Sequence, residues 1–499
     1  MLLSTNKAKR SRQQRSPHKK GCPMQDIQRR SPRPSLRHLT LLTGLLGVLI
    51  ALPAYSQDVE VHGFISQGYL KTYGQSYFDG LLQGDDDPKN GGSNFLGPTK
   101  RGSWEFAEVG INFGTSISDE MRVGLQLFAR DLGQLGNFKF ELDWAFADYA
   151  FRDNLNVRLG RIKMPYGLYG EYRDLDIVRP SVLLPQSVYF EALRDLQVAF
   201  DGIELYGNLD PGSPSLGHFD YTLFGGAIMG PAVRSNSSTA LFFNNRAFYT
   251  GEGNAIFTIQ DNSFNPYMFG GSLQWNTPWE GLLMKASSVY YKALIHARVA
   301  DGFINQLEQI GQLPASFSQN LQYKAEVMFS VGSIEYTIDE FVFAAEYALY
   351  YGEFQSNNAP LIPHTDLNQE RYYLQASYRL NELIQISGYY GFQRDPRDYY
   401  RRFPDRLLGR KAPAEVNTAP AGWEQANPGE TYSYDSDQYS QYQDDYSLAV
   451  RFDVNDFWVL KCEGHLMHGT EGVYMMLNPN SPEGEEWWYL FALKSTMVF

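Results

Sequence analysis

From Val59 onward the side chains alternate between apolar and polar with a period of two, in one segment of about ten residues after another. A strand points successive side chains to opposite faces, so each such segment separates an apolar medium from a polar one. Met121, Val123, Leu125, Leu127 and Ala129 alternate with Arg122, Gly124, Gln126, Phe128 and Arg130. Tyr372, Leu374, Ala376, Tyr378 and Leu380 alternate with Tyr373, Gln375, Ser377 and Arg379. Sixteen segments of this kind run from 59–71 to 487–499. Soluble sandwiches also alternate, so the period alone leaves the class open. The connections close it, because they mostly alternate long and short: 72–102 then 115–120, 131–139 then 152–155, 165–195 then 207–217. The same rule continues through 230–266 and 277–281, 295–322 and 338–339, 352–369 and 381–382, 395–442 and 455–456. Together these features predict an all-β chain: a transmembrane antiparallel β-barrel of about 16 strands, with short periplasmic turns and long extracellular loops. The count rises to eighteen if 241–243 and 247–249 form a further hairpin.

Only one apolar run is long enough to compete with this reading. It covers 39–52, and its 14 residues fall short of the roughly 20 that a spanning helix needs. Arg29, Arg30, Arg33 and Arg37 precede it, and Pro53 and Ala54-Tyr55-Ser56 follow it. That is the order of a secretory signal with cleavage after Ser56. Residues 1–56 are therefore expected to be an N-terminal extension and signal peptide that is removed, and 57–499 the barrel. Lys7, Lys9, Arg10, Arg12, Arg15, Lys19 and Lys20 read either as an extension upstream of a start at Met24 or as a basic arm. Residues 57–499 hold 32 Lys/Arg and 55 Asp/Glu, a net charge of −23, which argues against a nucleic-acid partner. Cys462 stands alone in that stretch, so no intramolecular disulfide is available to it.

Two stretches resemble a known family, the outer-membrane porins of Gram-negative bacteria. One is the last segment, with Trp487, Tyr489, Phe491, Leu493, Ser495, Met497 and Phe499 on one face; its closing aromatic, Phe499, is similar to the signal such barrels present to their assembly machinery. The other is Leu159-Gly160-Arg161-Ile162-Lys163-Met164-Pro165-Tyr166-Gly167, similar to the G-R-x-x-x-P-x-G stretch at the fifth strand of the superfamily that includes phosphate-selective porins. The lysine-rich ladder of those members is not evident, so no solute is carried over. The resemblance implies passive diffusion of small hydrophilic solutes or ions through a water-filled channel, a homotrimer, and contact with outer-membrane lipid and lipopolysaccharide.

It also implies that the loop 165–195 folds into the pore. The residues suit that role: Pro165, Pro180 and Pro185 stiffen it, and Leu175, Ile177, Val178, Val182, Leu183 and Leu184 offer apolar surface for an inner wall. Its charged residues Glu171, Arg173, Asp174, Asp176, Arg179, Glu191 and Arg194 become the candidate constriction. A charged side chain facing lipid at mid-bilayer costs about 2–4 kcal/mol, so alternation assigns the wall charges to the lumen. On the early strands these are Arg122, Arg130, Glu141, Asp143 and Arg158, beside Glu108, Asp201, Glu204 and Asp220. On the late strands they are Arg371, Arg379, Arg451, Lys461 and Lys494, opposed by Asp453 and Glu463. Acids facing bases would set up a transverse field, giving a mixed and weakly selective narrowing. Val198 and Phe200 share one parity while Ile203 and Leu205 take the other, which suggests a bulge at Asp201-Gly202. The facing of Arg161 and Lys163 stays open.

Catalytic motifs are missing: there is no G-x-S-x-G, H-E-x-x-H or nucleotide loop. His465 and His468 lie three apart on a strand, on opposite faces, so they are not a metal pair. No cofactor or metal is expected. A barrel-type enzyme and a structural or adhesive barrel remain as alternatives to the channel, and sixteen strands favour an aqueous lumen over a filled one.

Overall fold

The computed structural model describes residues 58–74, 102–132, 138–152, 154–191, 194–228, 257–259, 267–299, 301–309, 317–357, 365–394, 442–470 and 485–499. Its strands are β1 (Glu60–Tyr73), β2 (Ala107–Ser116), β3 (Met121–Asp131), β4 (Glu141–Arg152), β5 (Leu155–Lys163), β6 (Ala199–Leu209), β7 (His218–Ala227), β8 (Phe257–Ile259) and β9 (Tyr267–Asn276). They continue with β10 (Leu282–Val299), β11 (Asn320–Ile338), β12 (Phe341–Ser356), β13 (Thr365–Arg379), β14 (Ile384–Arg394), β15 (Tyr442–Asn455), β16 (Trp458–Gly469) and β17 (Trp487–Val498). Each long strand pairs antiparallel with its neighbours, β7 with β9, and β1 with both β2 and β17, which closes the ring. Sixteen strands make the barrel; the three-residue β8 extends the sheet only against the far end of β10. Each of the sixteen overlaps its predicted segment. The candidate hairpin at 241–243 and 247–249 and the signal segment 1–56 lie outside the described residues.

Alternation separates the two faces as expected. On β13, Leu374 is 57% exposed while Arg371, Tyr373 and Gln375 are buried. On β17, Trp487, Tyr489, Leu493 and Met497 face outward, whereas Trp488, Leu490, Ala492, Lys494 and Thr496 are buried inside. The outer face is thus apolar and aromatic, as lipid requires. At the seam, the Phe499 N–H donates to the Gly63 carbonyl at 3.0 Å and the Gly63 N–H donates to the Phe499 carbonyl at 2.9 Å.

The interior is not simply wet. Ile162, Phe200, Phe224, Met268, Val289, Tyr291, Phe329, Tyr350 and Tyr373 from the wall join Tyr166, Leu184, Val188 and Tyr189 of the loop after β5 in one buried apolar core. This core corrects one expectation. The β5–β6 and β6–β7 registers run unbroken through Asp201 and Gly202, so there is no bulge there. Phe200 points inward because it packs under the loop, and Ile203 and Leu205 point outward to lipid, so the apparent phase break is an apolar residue on the lumen side. Asp201, at outward parity, pairs with Arg161 at 3.4 Å and is not a lumen acid.

The real irregularity lies on β4, where Gln126 faces Trp144 and Leu127 faces Leu142, leaving Asp143 as the extra residue. Arg161 fills that bulge, its Nε donating to the Leu142 and Asp143 carbonyls at 3.0 Å each. Past the bulge the inward parity of β4 is inverted, which turns Asp148 inward. Alternation counted from Glu141 and Asp143 could not find it.

Candidate functional site

The segment between β5 and β6 enters the barrel. The Met164 N–H donates to the Val198 carbonyl at 3.0 Å and pinches its neck. Gly167 then turns at φ 62°, a conformation that favours glycine, with the Tyr189 hydroxyl and the Glu346 carboxylate where a Cβ would go. The stretch that resembles porins thus has a local physical meaning here: Gly160 has φ 137°, Arg161 fills the bulge, and Gly167 makes the inward turn.

Inside, the segment is fastened all round. Toward β10–β13, the Gly167 N–H meets Ser287 Oγ at 3.3 Å and the Leu168 N–H donates to Glu346 at 2.8 Å. Glu346 also accepts from Ser333 at 2.5 Å and from the Tyr373 hydroxyl at 2.9 Å. Tyr350 donates to the Val188 carbonyl at 2.7 Å, and Arg371 to the Ser187 carbonyl at 3.1 Å. Toward β15–β17, Arg451 donates to the Ile177 and Arg179 carbonyls at 2.5 and 3.1 Å, and Lys461 to the Asp176 and Ser181 carbonyls at 2.5 and 3.2 Å. One oxygen of Glu463 accepts the Val182 and Leu183 N–H groups at 2.6 and 2.9 Å, and the other accepts from Ser447 at 2.8 Å.

The loop's own charges are mostly buried in pairs. Asp174 bonds Lys163 and Arg194, and Arg194 lies 4.6 Å over the Phe128 ring. Burial pushes the Asp174 carboxyl up, but Arg194 and Lys163 pull harder and hold it far below the usual carboxylate range. Asp176 is likewise raised by burial and lowered further by Lys461, Lys494 and Arg179. Arg173 donates to the Tyr189 and Phe190 carbonyls at 2.9 Å and to Glu191 at 3.2 Å. Arg179 pairs with Asp176 at 2.8 Å, and Glu191 with Arg130 at 2.6 Å. Glu171 stays half-exposed, 3.9 Å from Lys285.

The wall residues divide by what they meet. Arg158 bonds Glu204 at 2.9 Å and Asp148 at 3.2 Å, between the rings of Phe146 and Tyr206. Arg122 approaches the same Asp148 at 3.5 Å and is largely exposed. Glu141 lies 4.0 Å from Lys139. Asp143 accepts from Gln126 at 2.8 Å and pairs with Lys163 at 2.6 Å, which fixes Lys163 on the lumen side. Arg379 pairs with Asp453 at 2.8 Å and remains partly open. The other late cations, Arg371, Arg451, Lys461 and Lys494, are buried against the loop, not aimed across open water. The expected transverse field from a free basic wall is replaced by a set of loop fasteners, because a loop crossing the lumen brings many backbone carbonyls that need donors. Of the fasteners, Glu346 and Tyr350 carried no signal in the sequence, and Glu463 was visible only as a local acid; the wall acid Asp148 carried none either. His465 contacts Asp445 at 2.8 Å and Glu463 at 3.2 Å inside, and His468 contacts Asp444 and Glu486 outside, so the two do face apart. Among the described residues no cluster suits a metal ion.

Where the loop does not seal against the wall, a gap remains. Arg179, Gln186 and Glu191 on the loop face Phe106, Glu108, Arg130, Asp131 and Lys494 on the wall, with Leu70 and Val182–Leu184 beside them. The space in it that a water molecule can occupy is ≈ 20 Å³. That is about one or two waters. Three acids and three cations line it.

No family model matches this chain, and neither does any curated protein sequence. Solved structures do. The chain is similar to the outer-membrane expressed OmpT of Vibrio cholerae, with 9% identity, 90% of this chain and 99% of that one covered, and a TM-score of 0.48. It is also similar to Pseudomonas putida OprB (12% identity, 89% and 94% covered, TM-score 0.44) and to Salmonella typhi OmpF in complex with daunomycin (11%, 89% and 98%, 0.44). By its own strands and faces the chain is a transmembrane antiparallel β-barrel of sixteen strands. Among the described residues, the long segment 165–195 folds through its lumen.

Proposed function

We propose that this barrel is a porin of the Gram-negative outer membrane, a narrow channel for passive diffusion of small hydrophilic solutes or ions, and not an enzyme. The observation that carries the reading is the charged gap between the inward loop and the wall of β1–β3 and β17. It combines a narrowing that has room for about one or two waters with a lining of both charge signs, which supports a small-solute or ion path. The buried carboxylates support the same reading: Glu346 and Glu463 hold loop amides, and the loop's own Asp174 and Asp176 are engaged by Arg194 and Thr496.

In this reading residues 1–56 are an export signal and its extension, Phe499 presents the aromatic assembly signal, and the barrel works as a homotrimer among lipid and lipopolysaccharide. The test is conductance of the purified protein in a planar bilayer, with the reversal potential taken in a KCl gradient. Discrete ohmic steps with weak ion selectivity are expected. A folded, inserted protein that passes no current would remove the channel reading.

A further inference from the structure

Lys461 on β16 and Lys494 on β17 are direct cross-strand partners. Both side chains are fully buried on the lumen face. Like charges placed directly opposite one another destabilise a sheet, the more so away from water. An anion between them resolves the conflict, and here it is Asp176 of the loop. Its Oδ1 meets Arg179 at 2.8 Å and Lys494 at 3.4 Å, and its Oδ2 meets Thr496 Oγ1 at 2.7 Å and Lys461 at 3.1 Å. Lys494 also holds Glu108 at 2.5 Å, at the edge of the charged gap. Three of these donors, Lys461, Lys494 and Thr496, belong to the barrel wall and not to the loop. Only the carboxylate and Arg179 arrive with the loop.

We propose that Lys461, Lys494 and Thr496 form a carboxylate-binding site in the barrel wall, occupied by the loop's own Asp176, which takes a small carboxylate solute when Asp176 is removed or displaced. As a binding site it stands on the geometry alone; as a solute site on the permeation route it rests on the channel reading. The tethered Asp176 competes as an intramolecular ligand, so free carboxylates bind the intact protein weakly. Two charge-assisted contacts and a hydroxyl explain why a carboxylate fits: it offers two oxygens to donors on two adjacent strands.

The experiment is calorimetric titration of sodium acetate into the detergent-solubilised full chain, as wild type, Asp176→Ala and Asp176→Ala/Lys461→Met. Acetate is expected to bind Asp176→Ala at least about tenfold more tightly than wild type, and the double variant is expected to lose that gain. Equal binding to wild type and Asp176→Ala, including none to either, overturns the proposal. So does a gain that survives the loss of Lys461. Phosphate binding Asp176→Ala more tightly than acetate overturns the carboxylate assignment. Should Asp176→Ala fail to give a heat-modifiable barrel, Asp176→Ser also vacates the carboxylate position, and the same comparison is read there. Wild-type conductance tests the channel reading separately: current without acetate binding defeats this site alone, and acetate binding without current defeats the channel alone.

Discussion

The two sides of the inward loop are held by packing and by charge in different proportions. Toward β6–β13 it packs Tyr166, Leu184, Val188 and Tyr189 into an apolar core with Phe200, Phe329 and Tyr350, with Glu346 and Arg371 bonding its backbone. Toward β3–β5 and β15–β17 it is held by charge: Glu191 with Arg130, Asp174 with Lys163, Asp176 with Lys461 and Lys494, and loop carbonyls with Arg451. Apolar packing is non-directional and grows with area, so it fixes how close the loop lies without fixing its register. Buried ion pairs add little net stability but are costly to break singly, so they fix register. One side holds the loop in, and the other sets where it sits.

That division can be broken by substitution. Asp174→Ala takes from Lys163 and Arg194 the carboxylate they share, leaving Lys163 with Asp143 at 2.6 Å and Arg194 with Glu191 at 3.8 Å, and should cost up to about 3–5 kcal/mol, read as a lower urea midpoint for the heat-modifiable form. Leu184→Ala, on the apolar side, should cost about 2–5 kcal/mol by the same measurement, and its effect should not depend on the partner charges. If Asp174→Ala is nearly neutral, the charged side does not fix register and the comparison fails.

Two smaller effects sharpen it. Arg130→Gln removes a cation from the gap and should shift the reversal potential toward cations, and Glu191→Gln should shift it toward anions, each by a modest amount because salt screens beyond about 8 Å. Unchanged selectivity in both would place the permeation route elsewhere. The last prediction concerns pH. The Asp174 and Asp176 carboxyls are lowered in the folded state, so their contribution is present above the unfolded carboxylate pKa and is lost only as pH falls through the lower folded value. Acidification from pH 7 to about pH 4 should therefore leave the charged side of the loop in place, seen as unchanged single-channel conductance.

Much of this architecture was readable from the residues. The sixteen strands were, because lipid on one face and water on the other forces a period of two that few other environments impose. The inward loop was foreshadowed by its apolar residues and its place after β5. What could not be read were partners far apart in the chain. Nothing near Arg371 announces that it holds the Ser187 carbonyl, and nothing near Glu463 announces the Val182 and Leu183 amides. Asp148 was hidden by a local event, since one extra residue at Asp143 reverses every later parity on β4. Phe200 misled for the opposite reason: a lumen partly filled with apolar side chains looks, in sequence, like lipid.

The β1–β17 seam joins strands more than 400 residues apart, from Phe64 against Val498 to Tyr73 against Tyr489. The other neighbouring strands in the ring follow one another along the chain, whereas this pair brings its two ends together. Until then the growing sheet carries two bare edges, each a template for the wrong partner. Ring closure therefore spans the longest sequence separation of the pairings in this ring and carries the largest loop-closure entropy.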